Sequence, residues 1–327
     1  MRFSLDAEQR DFARSLDGLL HSCDTPAAIR AWSNGDQGPG RTVWGRLAGA
    51  GVFALAVPER YEGFGVLPVE LAVTFTELGR HAVPGPLVET VAAAALLGRL
   101  DDDVAAARLP GIASGVTVAS LCLTSLGPYA LDADAADSVF VVDGDTLRLA
   151  DGPGPVQPSA DPARRLSRPR GGAVLAQGPA VAAAAAYAAD VAALVTAAQA
   201  LGLGRELLAR TVEYVSRRTQ FGVAVGSFQA VKHRLADTLV ALEFAEPLVH
   251  GAALALAAGE DHAGGDAAAA KVTAGEAAYG AARTALQLHG AVGYTDELDL
   301  SLWIRKARPL RDAWGTPAAC RARVLAG

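Results

Sequence analysis

Two segments of this 327-residue chain combine residue types that can hold a charged, planar ligand. The first is Arg217-Arg218-Thr219-Gln220-Phe221-Gly222, followed by SFQAVKHRLAD. A helix ends there in two arginines, a glycine turn exposes an aromatic ring, and a new helix opens with Phe228 and Gln229. A guanidinium at such a junction makes bidentate bonds to phosphate, and a glutamine side chain both donates and accepts. The same corner also suits an ordinary helix–turn–helix, with Arg218 facing the negative end of its helix dipole. The second segment is Gln287-Leu288-His289-Gly290-Ala291-Val292-Gly293-Tyr294. A glycine turn after a helix lets backbone approach a ligand closely, or simply caps the helix at Gly290.

The elements that must position these segments follow from composition and spacing. Hydrophobic residues make up 51% of the chain but aromatics only 6%, so the apolar mass is mostly Ala, Leu and Val, suited to closely packed helices. The first hundred residues read as helical. Phe12, Leu16, Leu19 and Leu20 recur at helical spacing, with Ser4 where an N-cap would sit. VPERYEGFG breaks the pattern as an ordered loop, Pro68 opens VELAVTFTELGR with Gly79 as its C-cap, and VETVAAAALLGRL is a further helix.

From about Val116 the rhythm is that of strands. VTVASLCLT is β-branched, SVFVV and TLRLA flank Asp143-Gly144 as a type I′ hairpin, and Ala173 to Ala176 add a last strand. The intervening DGPGPVQPSADPARRLSRPRGG holds too much Pro and Gly for regular structure. Helices then return: Pro179–Leu203, Arg205–Arg218, Phe228–Ala258 and, after GEDHAGGD, one through AAAAKVTAGEAAYGAARTALQLHG. Four long helices with short loops predict a bundle. The expected division is a helical domain over 1–112, a β-domain over 113–178 and a helical domain over 179–327. No internal repeat is detectable.

Charge and cysteine usage exclude several classes. Lys plus Arg is 29 and Asp plus Glu 35, a net charge of 29 − 35 = −6 with no basic block, so nucleic acid is not an expected partner. The alanine run from Ala180 to Ala189 stops at Asp190, short of a membrane span, and the charged N-terminus has no signal-peptide character. Cys23, Cys122 and Cys320 lack metal-ligand spacing. The expectation is a cytoplasmic protein with neither metal nor membrane.

In this order, the segments resemble the acyl-CoA dehydrogenase family over most of the chain. GVFALAVPERYEGFG with VTFTELGR is similar to its N-terminal pattern, and RTQFG…SFQAVKHRLAD and QLHGAVGYTDE to its two C-terminal signatures. The resemblance implies an α+β, mainly α fold: an N-terminal helical domain, a small middle β-domain and a C-terminal four-helix bundle. It implies FAD, an acyl thioester of CoA or acyl carrier protein, desaturation between Cα and Cβ, and an electron-transfer flavoprotein as acceptor. By position, Arg218 and Thr219 match the segment on a neighbouring subunit's FAD diphosphate, Phe221 a ring near that cofactor, and Phe228 and Gln229 a pair facing it. Gln287, His289, Gly290 and Ala291 match the loop over its adenosine half, with Ala291 where a second glycine is usual. Thr316 matches a threonine near the chain's own FAD, and the run from Gly79 to Thr90 is expected to line the acyl pocket.

Three departures qualify the resemblance. Many members carry the catalytic glutamate directly before a Gly-Thr pair, and here Trp314 precedes Gly315-Thr316. Others place it early in the first C-terminal helix, where a gap-free count back from Phe221 lands on Ala192. Asp190, two residues earlier, is the weak remaining candidate and is expected to be an exposed, solubilising position about 200° round the helix. The Thr-Glu-Pro…Gly-Ser-Asp stretch that holds the flavin ring has no counterpart beyond Thr124, Ser125 and Gly127. The resemblance thus implies that the half of the FAD site lent to a neighbour is intact while the chain's own half is eroded. That pattern resembles actinobacterial members in which unlike subunits pair, and implies a subunit of a heteromeric complex without its own base. A self-sufficient homo-oligomeric dehydrogenase and a flavin-free relative are the alternatives.

Overall fold

A computed structural model describes residues 5–100 and 103–326. The N-terminal helices are α1 (Ala7–His21), α2 (Thr25–Ser33), α3 (Gly38–Gly49), α4 (Pro68–Arg80), α5 (Leu87–Leu100) and α6 (Asp103–Ala113). The N-cap of α1 is Asp6, whose carboxylate accepts from Gln9 N while Gln9 answers back; Ser4 lies outside the described residues. The α6 helix, with Pro110 inside it, is one the sequence reading did not anticipate. VPERYEGFG forms the expected ordered loop, with a short 3-10 turn at Glu59–Tyr61 inside it and another, Phe53–Ala56, leading into it.

The strands fall between α6 and α7 (Pro179–Arg217). They are β1 (Ala119–Leu123), β2 (Ala130–Leu131), β3 (Ser138–Asp143), β4 (Thr146–Leu149), β5 (Leu166–Ser167) and β6 (Ala173–Gln177). One sheet runs β1-β3-β4-β6, with β1 parallel to β3 and the others antiparallel, and β2 pairs with β5. The β3–β4 hairpin forms with Asp143 opposite Thr146. Its central residues are Gly144 and Asp145, and only Gly144 has positive φ, at 59°. That suits a type II′ turn and not the expected I′, which needs positive φ at both. Val116 is exposed, and the strand starts only at Ala119, after a turn at Gly115. The Pro/Gly-rich stretch is not wholly irregular, since β5 and two bridges lie within it.

A 39-residue α7 replaces the two helices expected over 179–218. Its glycines are packing points and not breaks. A Cβ on Gly202 would lie 1.8 Å from the Thr76 carbonyl oxygen of α4, and one on Gly79 would lie 2.0 Å from that of Gln199 on α7. The two helices cross backbone to backbone there, so Gly79 is interior to α4, whose C-cap is His81. After a small hairpin of β7 (Thr219–Gln220) and β8 (Val223–Ala224) come α8 (Gln229–Ala258), α9 (Ala263–His289), α10 (Leu300–Asp312) and α11 (Pro317–Ala326). With two predicted helices merged, the bundle's fourth long member is α10. Unbroken, α7 holds an 18-residue stretch of mean hydropathy 1.7, and α8 one of 1.5, enough by composition to cross a bilayer, contrary to the shorter run read from sequence. In the fold most of the α7 stretch is buried against α4, α5 and α9.

Candidate functional site

The loop from α10 to α11 is held from three sides. Trp314 adopts φ 53°, uncommon for a side chain of this size, and its indole N–H donates to Glu89 Oε1 at 3.0 Å. Lys271 of α9 is fully buried, and its Nζ donates to the carbonyls of Arg311 at 2.7 Å and Gly315 at 3.4 Å. Burial pushes the Lys271 ammonium down to about 8. Thr316 Oγ1 accepts from Ala319 N and so caps α11. Trp314, Gly315 and Thr316 therefore present a fixed face.

That face borders a cavity of about 360 Å³ against Leu121, Leu123, Ser125 and Tyr129 of the β-domain, with Glu89 also in its wall. Of the three residues taken as a flavin-ring remnant, Ser125 and Gly127 line this cavity, while the Thr124 hydroxyl is engaged by Asp143 at 2.8 Å. Behind it lies a smaller cavity of about 30 Å³, shared by Glu89, Asp132, Asp161, Arg164 and Lys306, large enough for a water or two. Glu89 is 3% exposed, and burial raises its pKa despite the opposing pull of Arg164. Burial likewise pushes Asp132 to about 8. Glu89 Oε2 and Asp132 Oδ2 have no hydrogen-bond partner among the described residues. Of the run from Gly79 to Thr90, expected at the acyl pocket, Glu89 reaches the larger cavity and Gly85, Val88 and Glu89 the smaller.

The Arg217–Gln229 corner is exposed throughout Arg218, Thr219, Phe221, Phe228 and Gln229. Arg217 pairs with Glu213, whereas Arg218 has no ion pair among the described residues. Phe221, with φ 55°, is 91% exposed and meets Phe228 edge-on at 6.3 Å. At the second segment Gln287, Gly290 and Ala291 are exposed, but His289 is not. Its ring stacks on Tyr214 at 4.0 Å, and Nδ1 lies 2.8 Å from the Ala285 carbonyl, so as placed it joins α9 to α7. A groove of about 540 Å³ brings Arg218 and His289 together with Arg210 and Glu297. Thr316 and Trp314 belong to the other cavity.

Neither remaining base position holds an available carboxylate. Ala192 is buried within α7, its carbonyl accepting from the Thr196 hydroxyl. Asp190 is not the exposed position expected: its side chain is 15% exposed and pairs with Arg323 of α11 at 2.5 Å. Burial still outweighs that arginine and raises the Asp190 pKa. The sequence reading missed Glu89, Asp132 and Lys271. Glu89 left a signal, as an acid inside the otherwise apolar start of α5.

Residues 6–116 match the acyl-CoA dehydrogenase N-terminal domain and residues 182–326 the acyl-CoA dehydrogenase C-terminal domain. With the helical, β and helical layers described above, the chain belongs to the acyl-CoA dehydrogenase family of flavoprotein oxidoreductases. It is 35% identical over 306 residues to the acyl-CoA dehydrogenase IpdE2 of Mycobacterium tuberculosis, covering 92% of this chain and 91% of that one. Its fold is similar to a chain of the ChsE4-ChsE5 complex from Mycobacterium tuberculosis, with TM-score 0.86 at 23% identity over 100% of this chain and 98% of that one. The butyryl-CoA dehydrogenase of Megasphaera elsdenii gives TM-score 0.85 at 21% identity, over 100% and 99%.

Proposed function

We propose that this chain is one subunit of a heteromeric, FAD-containing acyl-CoA dehydrogenase in the cytoplasm, lending part of a flavin site to a homologous partner subunit without supplying the base. The observation that carries this reading is Trp314, which stands before Gly315-Thr316 where the family resemblance puts a glutamate, lines the cavity, and offers only an N–H donor already engaged by Glu89. Desaturation of an acyl thioester needs a carboxylate to take the α-proton, and a bound FAD would supply the acceptor for the β-hydride, with an electron-transfer flavoprotein as the onward acceptor.

The residues present fit one half of that cofactor. Arg218 is an exposed guanidinium without an ion partner among the described residues, suited to a diphosphate by charge-assisted, bidentate bonds. Phe221, Phe228 and Gln229 stand exposed beside it. Thr219, Gln287, Gly290 and Ala291 are exposed as well, whereas His289 serves from within by holding α9 against α7. Thr316 faces the chain's own cavity but is committed to capping α11.

The test is the flavin absorbance and acyl-thioester oxidation of the purified chain, alone and co-purified with a homologous subunit. Alone it retains no flavin and oxidises no acyl-CoA or acyl carrier protein thioester; with the partner, both appear. Arg218→Ala in the complex weakens flavin retention by about 1.5–3 kcal/mol, roughly tenfold to a hundredfold. Turnover by the chain alone overturns the reading and favours a self-sufficient enzyme with Glu89 as base, since the other carboxyl in the cavity wall, Asp312, is paired with Arg311. Absence of flavin with every partner leaves the flavin-free alternative.

A further inference from the structure

We propose that Asp17, His21 and His81 form a binding site for a divalent transition-metal cation of the zinc type, which joins the C-terminal end of α1 to that of α4. Asp17 and His21 are four residues apart on α1 and so share a face, while His81 follows the last turn of α4. Asp17 Oδ1 lies 2.9 Å from His81 Nε2 and 3.4 Å from His21 Nδ1. One ligand atom from each residue falls within 4.8 Å of the others.

A tetrahedral zinc with ligands about 2.0–2.1 Å away sets neighbouring ligand atoms roughly 3.3 Å apart. The cluster is near that geometry, and the residual adjustment falls to His21, whose side chain is 74% exposed and free to move. An ordinary His–Asp ion pair uses one imidazole. Here a second ring stands edge-on to the first at 5.1 Å, with its nitrogen toward the same carboxylate oxygen.

The surroundings favour a cation. Two helix C-termini converge on the cluster, each carrying the negative end of its dipole. The neighbouring cation Arg80 makes its ion pair with Glu77, at 3.8 Å. Imidazole nitrogen with carboxylate oxygen suits zinc, cobalt or nickel better than the all-oxygen coordination of calcium or magnesium. Three protein ligands leave one position for water. The site is remote in sequence from the flavin-facing segments, and the inference does not depend on the proposed function.

Chelator-treated full-length protein is titrated with zinc by calorimetry and with cobalt by visible absorption, alongside His21→Ala and Asp17→Asn. The expected result is one zinc per chain, a tetrahedral cobalt spectrum and a zinc-dependent rise in Tm. In both variants zinc affinity falls at least about tenfold and the Tm rise disappears, while circular dichroism confirms that the exposed His21 is dispensable for folding. No zinc binding in the micromolar range overturns the proposal. So does one-equivalent binding that both variants retain, which would place the metal elsewhere.

Discussion

Replacing Trp314 by Phe removes one N–H from the Glu89 carboxyl and keeps an aromatic ring in the loop. The bond at 3.0 Å is the side-chain partner of Glu89 Oε1, and Oε2 has none. Losing it leaves a buried carboxyl unsatisfied, which costs about 1–3 kcal/mol, at the upper end where the group is ionised. The half-buried ring adds little. Glu89→Gln is the informative counterpart, because its amide oxygen still accepts from the indole while its charge is gone.

The pH profile then separates the two variants. Burial raises the Glu89 pKa, so the folded chain keeps a proton that the unfolded chain sheds above about 4.5. Its contribution to stability is full below that pH and is lost as pH rises toward the folded value. Trp314 lowers that pKa, so Trp314→Phe pushes it up further and extends the window upward, whereas Glu89→Gln removes this part of the slope. Urea unfolding of parent, single and double variants at pH 5 and pH 8 should give a coupling energy of about 1–2 kcal/mol between the two residues. A coupling below about 0.5 kcal/mol, or superimposable pH profiles for parent and Glu89→Gln, refutes the claim that Glu89 anchors the tryptophan.

Gly202→Ala sets a methyl 1.8 Å from the Thr76 carbonyl oxygen and forces α7 from α4, a loss of about 3 kcal/mol or more readable as a lower urea midpoint. Asp132, pushed by burial to about 8, loses its contribution as pH rises from about 4 toward 8, so Asp132→Asn should gain on the parent at pH 8 and not at pH 4. Thermal unfolding at the two pH values checks the sign. Asp190→Asn should change stability by less than about 1 kcal/mol, because burial already opposes the charge that Arg323 stabilises, and should leave turnover of the assembled complex intact.

Local rules carried much of the fold. Alternating β-branched residues around Asp143-Gly144 specify a hairpin wherever they occur, and apolar residues at helical spacing specify α1, α4 and α5. The misplaced helix ends in α4 and α7 share one cause. Gly79, Gly202 and Gly204 look like punctuation in one dimension, yet each marks close approach of another helix, which only the packed bundle supplies. Glycine's bias toward ending a helix is about 1 kcal/mol, less than the packing of a helix buried along most of its length.

The candidate site divides the same way. Sequence alone established the absence of a glutamate before Gly315-Thr316 and the arginine-aromatic corner at 218–229, because both depend on residue identity and spacing along the chain. That His289 turns inward onto Tyr214, that Asp190 pairs with Arg323, and that Glu89 meets Trp314 are decisions of tertiary structure. Glu89 and Trp314 are joined by one hydrogen bond across a sequence separation of 225. Such a contact forms only because α5, α9 and the α10–α11 loop pack around a common interior from which water is excluded, and no local propensity encodes that meeting.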